Sequence, residues 1–325
     1  MALTSISVLA DGAGELPPFT PGTLFSAANL DQWMTVALVV AAGLYLYGVH
    51  RLHARGDKWF VGRTLAFVPA GLGTIAVATI SGLGTYDDTL FSAHMVQHML
   101  LSMVAPIMLA LGAPVSLALR TLPPRPRRWL LAVIHNRVFR VVSNPLVAFV
   151  FFISTPYALY FSKWYPATLE HPLLHEFTHI HFLVVGCLFF WPLIGLDPLG
   201  ANLPYPARAL LMIISMPLHA VLGVVIMQGA GSFASAYYAG LHLSWVTPLD
   251  DQTAGGGLLW ASGDLISLLM LAAFIFQWAR SSEHEAARID RQLDRSSGED
   301  NALDVYNARL AAMAARDQAG ARPTR

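Results

Sequence analysis

Cysteine and charge are what this 325-residue chain has least of. A single cysteine, Cys187, excludes an internal disulfide framework and any zinc cluster built on thiolates. Charged residues make up 12% of the chain against 55% hydrophobic, and the mean hydropathy is +0.52. A soluble globular protein carries roughly 25% charged residues, so an ordinary soluble domain is excluded. Formal net charge is zero, and with no strongly basic domain no nucleic-acid partner is expected. Residues 1–21 lack a basic stretch leading into an apolar run, so no cleavable signal is expected there. Fixed-period repeats and a second soluble domain are also missing.

What is present is a series of apolar runs at residues 30–49, 60–81, 91–111, 145–161, 173–194, 209–228 and 253–278. Each comes close to the roughly 20 residues that cross about 30 Å of hydrocarbon as a helix. Their length, and the lack of strict alternation, favour helices over a β-barrel. The expected fold is all-α, a polytopic bundle of seven transmembrane helices over residues 30–278. Residues 1–29 form a lead, and residues 279–325 form a tail that begins helical and ends disordered. Of the 20 Lys and Arg residues, 19 fall on one side of this topology and only Lys163 on the other. The positive-inside rule then puts the N-terminus outside and the C-terminus in the cytoplasm, with the lipid bilayer of a bacterial inner membrane as surroundings. Pro69, Pro106, Pro156, Pro192 and Pro217 fall inside spans and predict kinks. Asn144-Pro145 reads as a helix start.

Histidines carry the chemistry. His94 and His98 lie four residues apart in SAHMVQHMLLS, and His171, His175 and His179 repeat the spacing in HPLLHEFTHIHF. On a helix this stacks imidazoles on one face. Counting along the spans puts His98 about 10 Å, His179 about 9 Å and His219 about 13 Å below the outer surface. Three helices thus bring histidines to a similar depth, and polar side chains there face the bundle interior and a partner. A metal site of His94, His98, His175, His179 and His219 is expected. His181, two residues past His179, points away from it.

Thioethers bear on which metal. Met95, Met99 and Met103 recur every fourth residue beside the first pair, and Met212, Met216, His219 and Met227 form a stripe on span six. Imidazole with thioether suits copper, particularly Cu(I), with Met95, Met99 and Met216 as secondary ligands. Such stripes also serve as adaptable packing. Asp264 is the one carboxylate deep inside a span, open to a role as ligand, proton acceptor or partner of an imidazole, or as a protonated acid bonded to nearby serines. Glu176 and the Asp250–Asp251 pair lie near the outer surface, where they either help attract a cation or stand as ordinary solvated carboxylates, and Glu176 joins Asp264 as a candidate secondary ligand or ligand partner. Cys187 is too deep for the cluster and reads as packing.

The motifs HMVQHMLL at residues 94–101, CLFFWPLIGLDP at 187–198 and DQTAGGGLLW at 251–260 resemble the polytopic CtaG family of cytochrome c oxidase assembly factors. Their order and the seven-span layout match over about residues 30–278. The resemblance implies a bacterial inner-membrane protein, not an enzyme, that supports copper delivery to a haem–copper oxidase. His94 and His98 carry over through the first motif. Implied partners are cytochrome c oxidase subunits or a copper chaperone on the extracytoplasmic side. Three other classes stay open. A carrier of haem b would use the histidine pairs as axial ligands, with Gly186 and Gly223 making room for the porphyrin. A copper transporter would use the Met212–Met227 stripe as a path and Asp264 for proton coupling. HEFTH has the HExxH form of a zinc hydrolase, with Glu176 as base and His94, His98 or Asp264 as third ligand.

Overall fold

The computed structural model describes residues 17–27, 32–199, 203–229, 233, 235–241 and 243–320. Among these, no strand occurs and the elements are helices. The expectations for residues 1–16, 28–31 and 321–325 lie outside the described residues.

Among the described residues, six helical stretches are long and apolar enough to cross a membrane. They are α1 (Gln32–His53), α2 (Val61–Tyr86), α3 (Phe91–Thr121), α6 (Pro172–Ile194), α7 (Tyr205–Met227) and the front of α8 (Pro248–Gly320). The seventh expected span is broken: α4 (Pro145–Tyr160) and α5 (Trp164–Glu170) meet at a 68° bend. Asn144 starts α4 as its sequence requires, Oδ1 accepting from the Leu146 amide at 3.0 Å with Pro145 in the first turn. The chain divides into a unit of Met1–Leu271 and a unit of Ala272–Arg325. The second continues α8 to Gly320, its described side chains exposed from Ile275 onward.

Two of the span prolines act through local winding. A π-helical segment, Ala66–Leu72, surrounds Pro69 in α2, and another, Leu100–Val104, directly precedes the turn holding Pro106 in α3. Pro106 has no amide to donate to the Ser102 carbonyl, and a wider turn accommodates the lost bond. The helices run on unbroken through Pro156, Pro192 and Pro217.

α3 is the central element. α6 packs along its Leu100–Leu111 portion, and the backbones touch where a Cβ on Gly186 would stand 2.2 Å from the Ser102 carbonyl oxygen. Trp191 Nε1 donates to the Pro106 carbonyl at 3.1 Å in the same seam. Small residues at such a crossing let helices approach closely in lipid. α7 and α8 use the same device, a Cβ on Gly223 falling 2.7 Å from the Gly256 carbonyl oxygen.

Two aspartates from distant segments pin α3. Asp251, at the start of α8, accepts from the amides of Phe91 and Ser92 and from the Ser92 hydroxyl. Asp197, after α6, accepts from the amides of Val115 (3.2 Å) and Ser116 (2.6 Å), where helix Pro114–Thr121 follows the left-handed Ala113. Both positions are helix N-termini with orphan amides, where a carboxylate is favoured. Burial still pushes the Asp197 carboxyl above its usual range, against the pull of those bonds.

Candidate metal centre

The Gly186 contact holds two histidine faces against each other. His94 and His98 stack on α3 with ring centroids 3.9 Å apart, and His175 and His179 on α6 at 4.5 Å. Across the seam His94 lies 5.5 Å from His175, and His98 lies 6.0 Å from His179. The short connection between α2 and α3 adds Asp87. Its Oδ2 is 3.6 Å from Nε2 of both His175 and His179. One donor atom from each of Asp87, His175 and His179 falls within 4.8 Å of the others.

The site is dry. His94 and His98 are 0% and 1% exposed and Asp87 6%. Phe182 stacks on His98 at 4.2 Å, and Tyr165 of α5 stands 5.0 Å from His94. Tyr165 shares a hydroxyl hydrogen bond with Tyr238. Burial, with the Asp88 carboxylate beside it, pushes the Asp87 carboxyl well above its usual range.

Inside that shell the polar accounts do not balance. Both ring nitrogens of His94 and of His179, and Nε2 of His98 and His175, are buried without a hydrogen-bond partner. Each such group costs about 1–3 kcal/mol. Four imidazoles gathered in one place, each with one lone pair to offer while its other nitrogen carries the proton, fit a shared cation. Imidazoles and a carboxylate form a nitrogen–oxygen donor set suited to Cu(II), Zn, Fe or Ni. One ring nitrogen is held from outside the cluster: the Tyr160 hydroxyl stands 3.1 Å from His98 Nδ1, so Nε2 is the nitrogen turned to the cluster.

Other residues expected at this site stand elsewhere. His219 makes its contacts away from the cluster. Its Nδ1 is 2.9 Å from the Ser215 carbonyl, and its ring lies 5.5 Å from Phe152 and against Gly263 of α8. Asp264 belongs with it, close enough to interact electrostatically, while accepting from Trp260 Nε1 at 2.8 Å. Met95 faces α8, its Cγ 3.2 Å from where a Gly255 Cβ would stand. It follows His94 by one residue and is therefore turned about 100° around the helix. Met99 bears the same relation to His98 and is buried; Met216 is half-buried on α7 with His219. The stripes pack helices. Glu176 is exposed, near enough to Asp87 to act on its charge. His171 is exposed and precedes α6, outside the stack. His181 turns away to Thr155 Oγ1 at 3.1 Å, as its spacing required. Asp251 caps α3 rather than drawing in a cation. Gly186 and Gly223 are filled by helix contacts and leave no slot for a porphyrin.

Asp87 and Tyr160 escaped the sequence reading. The signal for Asp87 was the acid pair Asp87–Asp88 seven residues before His94, at the same end of the bundle. For Tyr160 nothing in the sequence pointed to His98.

The family profile described as cytochrome c oxidase caa3 assembly factor (Caa3_CtaG) matches residues 43–281. Uncharacterized proteins of Mycobacterium bovis and Mycobacterium tuberculosis are each 38% identical over 305 residues, covering 91% of this chain and 46% of their own length. One of Mycobacterium leprae is 36% identical over 294 residues, covering 88% and 44%. The chain thus spans about half the length of the curated relatives it matches. No solved structure matches it.

Proposed function

Since the chain belongs to the cytochrome c oxidase caa3 assembly factor family, we propose that its His–Asp cluster holds copper as cargo for a haem–copper oxidase. Four clustered imidazoles beside Asp87, each with a buried ring nitrogen that no hydrogen bond satisfies, carry this reading. Asp87, His175 and His179 form the first grip, and His94 and His98 face it from α3. With Met95 turned to α8, nitrogen and oxygen donors favour Cu(II) over Cu(I). The distribution of Lys and Arg supports an outer location for the cluster, with the N-terminus outside and the C-terminus in the cytoplasm. There an oxidase subunit or a copper chaperone exchanges the ion. Its chemistry is ligand exchange, without turnover of a substrate.

Protein purified in detergent is expected to carry roughly one or two copper ions. His98→Ala combined with His179→Ala abolishes this content, and full retention of metal in that double variant ends the proposal. A Soret band in the purified protein would favour haem instead. A second reading, a zinc hydrolase, draws on Asp87 as the third ligand that HEFTH needs. In that case the bound metal is zinc, and Glu176→Gln keeps the metal but abolishes hydrolysis.

A further inference from the structure

Away from the histidines, two cavities of about 560 Å³ each lie between α1 and the rest of the bundle. Both are lined by Ala41, Phe67 and Pro114, which makes them one cleft with a neck. Along α1 the lining runs from Met34 to Arg51. At 1.5 Å per residue that is about 25 Å, most of the roughly 30 Å of bilayer hydrocarbon. α1 is pinned to α3 by Tyr45, whose hydroxyl donates to the Gly112 carbonyl at 2.8 Å, and by Gly48 against Leu117.

The walls are apolar apart from one end, where Arg51 stands. Arg51 is half-buried and makes no hydrogen bond or ion pair among the described residues. Its neighbours differ. Arg55 donates to the Arg120 carbonyl, and Arg120 sits 3.6 Å from Asp57. A half-buried cation without a partner is costly in a membrane protein. A free phosphate would satisfy Arg51 and leave the cleft unfilled. A neutral lipid would fill the cleft and leave Arg51 unpaired. We propose that the cleft binds one anionic phospholipid, its phosphate on Arg51 and an acyl chain along α1 through the neck at Ala41.

The test is native mass spectrometry of the full chain in mild detergent, titrated with phosphatidylglycerol and with phosphatidylcholine of identical chains. One phosphatidylglycerol per chain is expected to stay bound under activation that strips phosphatidylcholine, with a preference of roughly fivefold for one arginine. Arg51→Gln removes the preference, while Arg51→Lys and Arg55→Gln keep it. Ala41→Trp, which plugs the neck, lowers retention of both lipids. Equal retention of the two lipids by the unaltered chain overturns the proposal, as does a preference that survives Arg51→Gln. A second copy of the chain found bound in place of lipid overturns it as well.

Discussion

Asp251→Ala is the perturbation whose size follows most directly from the structure. The carboxylate accepts from two amides at the start of α3 and from the Ser92 hydroxyl, a cap supplied from α8. Losing a cap costs about 1 kcal/mol, up to about 2. Here the orphaned amides are buried or part-buried, and each adds a share of the about 1–3 kcal/mol of an unsatisfied donor. A total of about 2–4 kcal/mol results, and at about 2–4 °C per kcal/mol the melting midpoint falls by roughly 5–15 °C. His94 sits on the first turn of the helix so loosened, so metal affinity weakens while the stoichiometry at saturating metal is kept. The assay is a fluorescence melt of detergent-purified protein with metal analysis beside it. Asp250→Ala is the control: Asp250 is exposed and accepts from Thr247 Oγ1, so its loss stays within about 0.5 kcal/mol. Equal melting of the two variants would refute the capping argument.

His219→Ala leaves bound metal unchanged by elemental analysis, because its ring belongs to the α7–α8 contact; loss of metal would put His219 back in the site. Tyr160→Phe frees His98 Nδ1 and weakens metal binding by about 10–100-fold in competition titrations, with folding intact by thermal melt. Gly186→Leu forces side-chain atoms into the Ser102 carbonyl and costs at least about 1–3 kcal/mol of stability, read as lower yield and melting midpoint. Acidification releases the metal at a higher pH than an ordinary carboxylate would dictate. The Asp87 carboxyl is held above its usual range, so it takes up a proton earlier as pH falls and ceases to be a ligand. In Asp87→Asn that limb of the pH titration is absent.

The sequence made the spans legible because hydropathy reports length, and it made the two histidine pairs legible because i,i+4 spacing fixes one face of a helix. Depth could be counted along each span too. Counting along an axis gives no information on azimuth, and it was azimuth that separated His219 and Met95 from the cluster. Rotation about a helix axis is set by packing, here by Gly255 and Gly263 of α8. Asp87 was missed for a different reason. It lies in a connection, and the fold of a connection follows from the helices it joins more than from its own residues. The bend between α4 and α5 that brings Tyr165 over His94 was hidden likewise, since hydropathy sees one run across residues 145–161 and cannot see the chain turn back.

The π-helical segment at Leu100–Val104 carries one residue more than a regular α-helical path would need. Its position, between His98 and the Pro106 seam, makes it a place where one residue can be lost without turning the histidine face. Deleting one residue there lets α3 wind regularly and leaves everything before it in phase with everything after it, whereas deleting one from the regular turn between His94 and His98 rotates what precedes it by about 100°. In the second case the α6 seam keeps its grip while His94 swings out of line with His175. Loss of a single codon therefore spares the grip on the ion or breaks it, according to which side of His98 it falls.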